Sequence, residues 1–190
     1  GGAVDLNNTV TVPSGFSSAG TTFDSTGASI TTTNNDITIN HTGNVIIGGA
    51  LSSGSGNVNI DATGGGATIA LDQSITATTG AVTLDSDGAT AVAAAGDIQT
   101  STGNVIFGGT LTGTLTTAGD VTTTGDGGNV TFTQAVTLSG GITVDTSANA
   151  GNVAFSSTLN GAQDLTLIAG TGSITFTGIV GGTTPIGNGT

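Results

Sequence analysis

Short apolar segments recur along this chain at nearly constant spacing, separated by glycine, asparagine, serine and threonine. The clearest phrase is Gly-Asn-Val-Xaa-Phe, which ends at Phe107, Phe132 and Phe155, and a variant, Gly-Ser-Ile-Thr-Phe, ends at Phe176. The first apolar residue of the phrase recurs about every 23 residues, in the series Val10, Ile37, Val58, Val82, Val105, Val130, Val153 and Ile174. A fixed period in this range is typical of solenoids. The pattern therefore predicts rungs that stack valine on valine and phenylalanine on phenylalanine.

Each repeat contains three short segments in which apolar and polar residues alternate. In the repeat that starts at Val105, the second segment is predicted at Leu111 and the third at Val121. Because successive side chains of a strand point to opposite faces, Val105 and Phe107 are predicted to point inward and Ile106 outward. No segment has helical periodicity flanked by caps. We therefore predict an all-β protein, a three-sided parallel β-helix (β-solenoid) with seven to eight rungs of about 23 residues.

The beginning of the chain is less regular than the rest. Phe16 and Phe23 lie outside the main phenylalanine series. Terminal repeats of a solenoid are often atypical and cover the end of the core. We therefore predict an irregular N-terminal rung or cap over residues 1–35 and β-solenoid repeats over residues 36–190.

The repeats also predict ladders of identical side chains from rung to rung. An asparagine precedes the first apolar residue in three successive repeats, and stacked side-chain amides can hydrogen-bond along such a ladder. The predicted ladder residues are Asn104, Asn129 and Asn152 at the corner, Val105, Val130, Val153 and Ile174 at the first inward position, and Phe107, Phe132, Phe155 and Phe176 at the second.

The composition excludes several classes of partner. The chain has no Lys, Arg or Cys and a formal net charge of −12. Nucleic acids and anionic membrane surfaces are bound through basic residues, so neither is an expected partner. No apolar run reaches the roughly 18 residues of a membrane helix, so membrane insertion is not expected either.

Aspartates supply the candidate metal chemistry. The segment Asp85-Ser86-Asp87-Gly88 resembles the start of a calcium loop, and Ca²⁺ binds clustered carboxylate and carbonyl oxygens. Asp61 and Asp85 both follow the second inward position and lie one repeat apart, so they are predicted to stack. Asp61, Asp85 and Asp87 are therefore candidate Ca²⁺ ligands, and solvated turn aspartates are the alternative. His41 is the one histidine, and without a second His or a Cys it does not indicate a zinc site.

The segments at residues 164–178 and 181–185 resemble repeats of very large bacterial surface proteins, the filamentous-haemagglutinin-like and related β-strand-repeat adhesins. The resemblance extends over about residues 36–185. It implies a right-handed parallel β-helix, secretion, and a role as a fibrous stalk, an adhesin or a surface layer.

Catalysis is not expected, because the chain has no Arg, Lys, Glu, Tyr or Trp with which to hold a polysaccharide substrate. We expect an extracellular structural protein of a surface fibre, sheath or adhesin. Its expected partners are identical copies, in head-to-tail or lateral assembly, and other cell-surface components or glycans. The alternatives are a stalk repeat of a giant adhesin that binds elsewhere, and an ice-binding solenoid. Ice binding depends on a row of outward threonines, which is predicted to run Thr11, Thr38, Asn59, Thr83, Ile106, Thr131, Ala154, Thr175 and is interrupted three times.

Overall fold

A computed structural model describes residues 1–148 and 150–187 of the chain. Within these residues the chain forms 24 short β-strands in three sheets and no helix. Sheet A contains β1 (Val4–Asp5), β4 (Phe23–Asp24), β7 (Val45–Ile47), β10 (Ile69–Leu71), β13 (Ala89–Val92), β16 (Thr114–Thr117), β19 (Ala135–Leu138) and β22 (Leu159–Asn160). Sheet B contains β2 (Val10–Val12), β5 (Ile30–Thr32), β8 (Leu51–Gly54), β11 (Ile75–Ala77), β14 (Ile98–Thr100), β17 (Val121–Thr123), β20 (Ile142–Asp145) and β23 (Leu165–Ile168). Sheet C contains β3 (Phe16–Gly20), β6 (Ile37–His41), β9 (Val58–Ala62), β12 (Val82–Ser86), β15 (Val105–Phe107), β18 (Val130–Phe132), β21 (Val153–Phe155) and β24 (Ile174–Phe176).

The order of the strands shows how the chain coils. Within each sheet the neighbours of a strand are the third strand before it and the third strand after it, and the pairing is parallel. The chain therefore visits sheets A, B and C once per turn and returns to the same position about 23 residues later. This confirms the predicted all-β, three-sided β-solenoid. In the described ranges, no helix is long and apolar enough to cross a membrane.

The core lies inside the coil and consists of columns of like side chains. Val105, Val130 and Val153 are in register and fully buried. The rings of Phe107 and Phe132 stack with centroids 4.9 Å apart and planes 2° apart. The column continues through Phe132–Phe155 at 4.4 Å and Phe155–Phe176 at 5.2 Å. Each such ring pair adds about 0.5–1.5 kcal/mol beyond the burial of its area.

The predicted start of the repeat phrase at Val10 is wrong. In sheet C the residue paired with Ile37 is Phe16, whereas Val10 pairs with Ile30 in sheet B. The alternating segment around Val10 fits an inward–outward strand in any of the three sheets, so its pattern does not identify the sheet. Residues 1–35 contribute β1 to β5 to the same three sheets. The division at residue 35 stays a prediction, and residues 188–190 of the predicted solenoid lie outside the described residues.

The predicted position of Leu111 is also wrong. The residue that pairs with Val136 in sheet A is Leu115, which is buried, whereas Leu111 lies in the loop before β16. The cause is the length of this corner. Six residues, 108–113, connect β15 to β16, whereas two residues connect β18 to β19 in the next turn. We call residues 108–113 the long corner.

Candidate functional site

The asparagine ladder lies at the corner before sheet C. The backbone and side-chain amides of Asn129 both donate to Asn104 Oδ1, at 2.9 and 3.1 Å. Asn152 donates to Asn129 Oδ1 in the same way, at 2.8 and 3.0 Å. The same pattern links Asn57 to Asp36 Oδ1 in an earlier turn. These side chains satisfy backbone donors at the corner, so the structure gives them a stabilising role.

Asp61 and Asp85 are neighbours on adjacent turns, as their spacing predicts. They are in register between β9 and β12. Asp85 is 6% exposed, and Asp61 is less deeply buried. Burial raises the pKa of the Asp61 carboxyl above its ordinary value, and the nearby Asp85 carboxylate raises it further. The pair therefore concentrates negative charge on one side of the coil.

Asp87, the third predicted Ca²⁺ ligand, has other hydrogen-bond partners than Asp85. Its Oδ2 accepts from Gly66 N in the preceding turn at 3.1 Å, and its Oδ1 accepts from Thr112 Oγ1 in the long corner at 3.5 Å. Asp85 points towards the following turn and accepts from Thr110 N. Among residues 1–148 and 150–187, no three His, Cys, Asp or Glu side chains come together in a group that could hold a metal ion. The Ca²⁺ set of Asp61, Asp85 and Asp87 stays a prediction.

The long corner is instead held by Asp85 and by a residue that the sequence did not indicate. Asp85 Oδ2 accepts hydrogen bonds from Thr110 N at 2.9 Å and from Leu111 N at 3.3 Å. From the other side, Gln134 Nε2 donates to Ser86 O at 3.3 Å, across a sequence separation of 48 residues. The remaining oxygens, Asp85 Oδ1 and Gln134 Oε1, are buried without a hydrogen-bond partner.

The C-terminal end of the coil exposes its core. Ile174 and Phe176 are each 42% exposed, Val180 is 46% exposed and Ile179 67%. In the preceding turn, Val153, Phe155 and Leu159 occupy the positions of Ile174, Phe176 and Val180, and all three are buried. At the N-terminal end, four partly buried apolar residues pack on the core: Val4, Leu6, Val10 and Phe16. Within the described residues, both ends are therefore apolar, and the terminal strands β1, β2, β3, β23 and β24 each pair with one strand only.

The outward row of sheet C differs from the predicted ice-binding row at its first position. The row begins with Ser17, which pairs with Thr38, and Thr11 belongs to sheet B. Ile106 and Ala154 occupy the outward positions that the sequence predicts for them, next to Thr131. The row is therefore not a continuous threonine surface.

His41 is buried inside the coil and contacts neutral groups. Its Nε2 is 2.9 Å from Ser18 Oγ, and its ring centroid is 5.5 Å from that of Phe23. Its Nδ1 is buried without a partner. Burial lowers the pKa of the imidazole below its ordinary value, and the nearby Thr22 backbone opposes this shift.

Comparisons with known proteins give no match. No family model, no curated protein and no solved structure matches this chain. The resemblance to filamentous-haemagglutinin-like repeats therefore stays a hypothesis that rests on the sequence pattern.

Proposed function

We propose that this chain is a non-catalytic extracellular structural protein that assembles head to tail into a filament, as part of a surface fibre, sheath or adhesin. The observation that carries the proposal is the exposed core at the C-terminal end of the coil. Large exposed apolar patches mark interaction sites, and unpaired strand edges accept another strand. The N-terminal end of a second copy would both cover these apolar side chains and pair with these strand edges.

The columns of the coil define how two copies fit. The column that ends at Ile174 begins at Phe16, and the column that ends at Val180 begins at Val4. When the N-terminal end of one copy stacks on the C-terminal end of another, Phe16 covers Ile174 and Val4 covers Val180. All three sheets then continue across the junction. This head-to-tail contact leaves both outer ends free, so it propagates into an open filament.

A disulfide between copies tests this fit, because the chain has no cysteine of its own. Ser17 and Thr175 are the first and last outward residues of one column in sheet C. In the proposed filament they become neighbours at the junction, within the Cα separation of about 4.4–6.8 Å that a disulfide allows. The double variant Ser17→Cys/Thr175→Cys is expected to form covalent oligomers on mild oxidation, visible as a ladder on a non-reducing gel.

The matched control is Ser17→Cys/Ile106→Cys, because Ile106 lies in the same column but in the middle of the coil. The control is expected to remain monomeric on the gel. An absent ladder in the Ser17/Thr175 variant at high protein concentration, or an equal ladder in the control, would overturn the head-to-tail arrangement. The chain would then be better described as an isolated stalk segment of a giant adhesin.

A further inference from the structure

The long corner brings two buried polar side chains against the same pair of glycines. Asp85 approaches from the preceding turn and Gln134 from the following turn, and each is 6% exposed. A Cβ atom added at Gly109 would lie 2.5 Å from Asp85 Oδ2, and one added at Gly108 would lie 2.5 Å from Gln134 Cγ. Glycines at positions 108 and 109 therefore leave room for both side chains at this corner.

Each of these two side chains has an oxygen that nothing in the described protein satisfies. Asp85 Oδ1 and Gln134 Oε1 are buried and have no hydrogen-bond partner. Buried polar atoms in native proteins almost always have one. Both atoms are acceptors, because a carboxylate only accepts and the amide of Gln134 uses its nitrogen to donate to Ser86 O. The site therefore requires a cation or a donor from solution.

The charge around the site favours a cation. The chain has no Lys or Arg, so no basic side chain can neutralise Asp85. Asp61 lies in register beside it, and Asp87 follows two residues later. The donors on Asp85 are the backbone amides of Thr110 and Leu111, both on Oδ2.

An open cleft lies beside the site. It has a volume of about 300 Å³ and lies between the long corner and the start of β19. Gln134 lines this cleft, together with the hydroxyl-bearing residues Thr112, Thr133 and Ser157. Asp85 does not line the cleft, but its carboxylate packs against Gly109, which does. An ion and its waters therefore have a route from solution to Gln134 and to the glycine that packs on Asp85.

We propose that the long corner binds Ca²⁺ through Asp85 Oδ1 and Gln134 Oε1, with backbone carbonyls and water completing the coordination. Ca²⁺ accepts six to eight oxygen ligands in flexible geometry, including carboxylate, amide and backbone oxygens, whereas Mg²⁺ demands a near-ideal octahedron and retains its waters. With one carboxylate ligand the expected Kd is about 10⁻⁴–10⁻³ M. This set differs from the one that the sequence predicts, because Asp61 contributes only charge and both oxygens of Asp87 already accept hydrogen bonds, from Gly66 N and from Thr112 Oγ1.

The test is a calorimetric titration with Ca²⁺ and with Mg²⁺, together with thermal unfolding followed by circular dichroism in Ca²⁺ and in EDTA. The wild type is expected to bind Ca²⁺ more tightly than Mg²⁺. At a Ca²⁺ concentration about tenfold above Kd, its Tm is expected to rise by roughly 3–6 °C. Asp85→Asn and Gln134→Leu are each expected to weaken Ca²⁺ binding at least about tenfold, as loss of a ligand from a site with few protein ligands should. Asp85→Asn keeps an oxygen for the Thr110 and Leu111 amides, so its fold in EDTA is expected to be intact.

The matched control is Asp97→Asn. Asp97 Oδ1 also accepts a hydrogen bond from a backbone amide of the next turn, Asp120 N at 2.9 Å, but Asp97 is exposed at the corner before β14, outside the long corner. Its removal is expected to leave Ca²⁺ binding unchanged. Absence of Ca²⁺ binding by the wild type, or unchanged binding in both site variants, would overturn the proposal. A loss in Asp87→Asn as large as in Asp85→Asn would overturn the ligand set.

Discussion

Removal of one phenylalanine from the middle of the ring stack tests whether the stacked core stabilises the coil. Phe132 is buried and stacks on Phe107 and Phe155, at 4.9 and 4.4 Å. Phe132→Ala therefore leaves a cavity with rings on both sides. Buried Phe→Ala substitutions cost about 3–5 kcal/mol, and the two lost ring pairs place this one in the upper half of that range.

Phe176 provides the matched control, because it belongs to the same column at its exposed end. It is 42% exposed and stacks on one ring, that of Phe155. Somewhat more than half of its side chain is buried, so Phe176→Ala is expected to cost roughly 1–2 kcal/mol in the monomer. The difference between the two variants should be at least about 2 kcal/mol.

The free energies of unfolding can be measured by urea denaturation followed by far-UV circular dichroism. The protein concentration should be low, so that Phe176 is not covered by another copy. Equal destabilisation by Phe132→Ala and Phe176→Ala would contradict this prediction, because it would mean that the position of a ring in the stack does not determine its contribution to stability.

Three further predictions concern the polar groups. Asp61 has a raised pKa in the folded state, so its contribution to stability is fully present below about pH 4 and is lost as pH rises through the folded pKa. In urea denaturation at several pH values, Asp61→Asn should remove this part of the pH dependence of the unfolding free energy, and an unchanged pH dependence would contradict the prediction. His41 has a lowered pKa in the folded state, so its contribution to stability is present above about pH 6.5 and is lost as pH falls. The Tm of the wild type should therefore fall as the pH is lowered, and His41→Gln should abolish this part of the fall. A wild-type Tm that does not fall would contradict the prediction. Asn129→Ala removes hydrogen bonds to both neighbouring turns, so it should lower the free energy of unfolding, measured by urea denaturation, by about 1–2 kcal/mol. A change near zero would exclude a stabilising ladder.

The repeat pattern was sufficient to predict the coil because each inward residue touches its own equivalents one turn away. Val130 lies between Val105 and Val153, so a preference for like neighbours appears in the sequence as a period. The asparagine corner was predictable for the same reason. Strand segments and some corners therefore carry the information about register.

Corners whose length differs from turn to turn carry no information about the register of the strands. The long corner has four more residues than the corner one turn later, so the six-residue step that connects Val130 to Val136 reaches Leu111 from Val105 instead of Leu115. Gln134 was missed because its partner, Ser86, is two turns away and no local pattern connects them. The one available signal was the lengthened spacing between Val105 and Val130. The candidate site therefore lies where the repeat is broken.

Electron microscopy of the purified chain at high concentration tests the head-to-tail account most directly. The described part of each copy contributes eight strands to every sheet. At the ~4.8 Å spacing of neighbouring strands, one copy should span roughly 40 Å of the filament axis. Head-to-tail assembly is expected to give unbranched filaments with strands across the axis and this axial repeat, in Ca²⁺ and in EDTA alike. Separate rods about 40 Å long under both conditions, at every concentration, would contradict it.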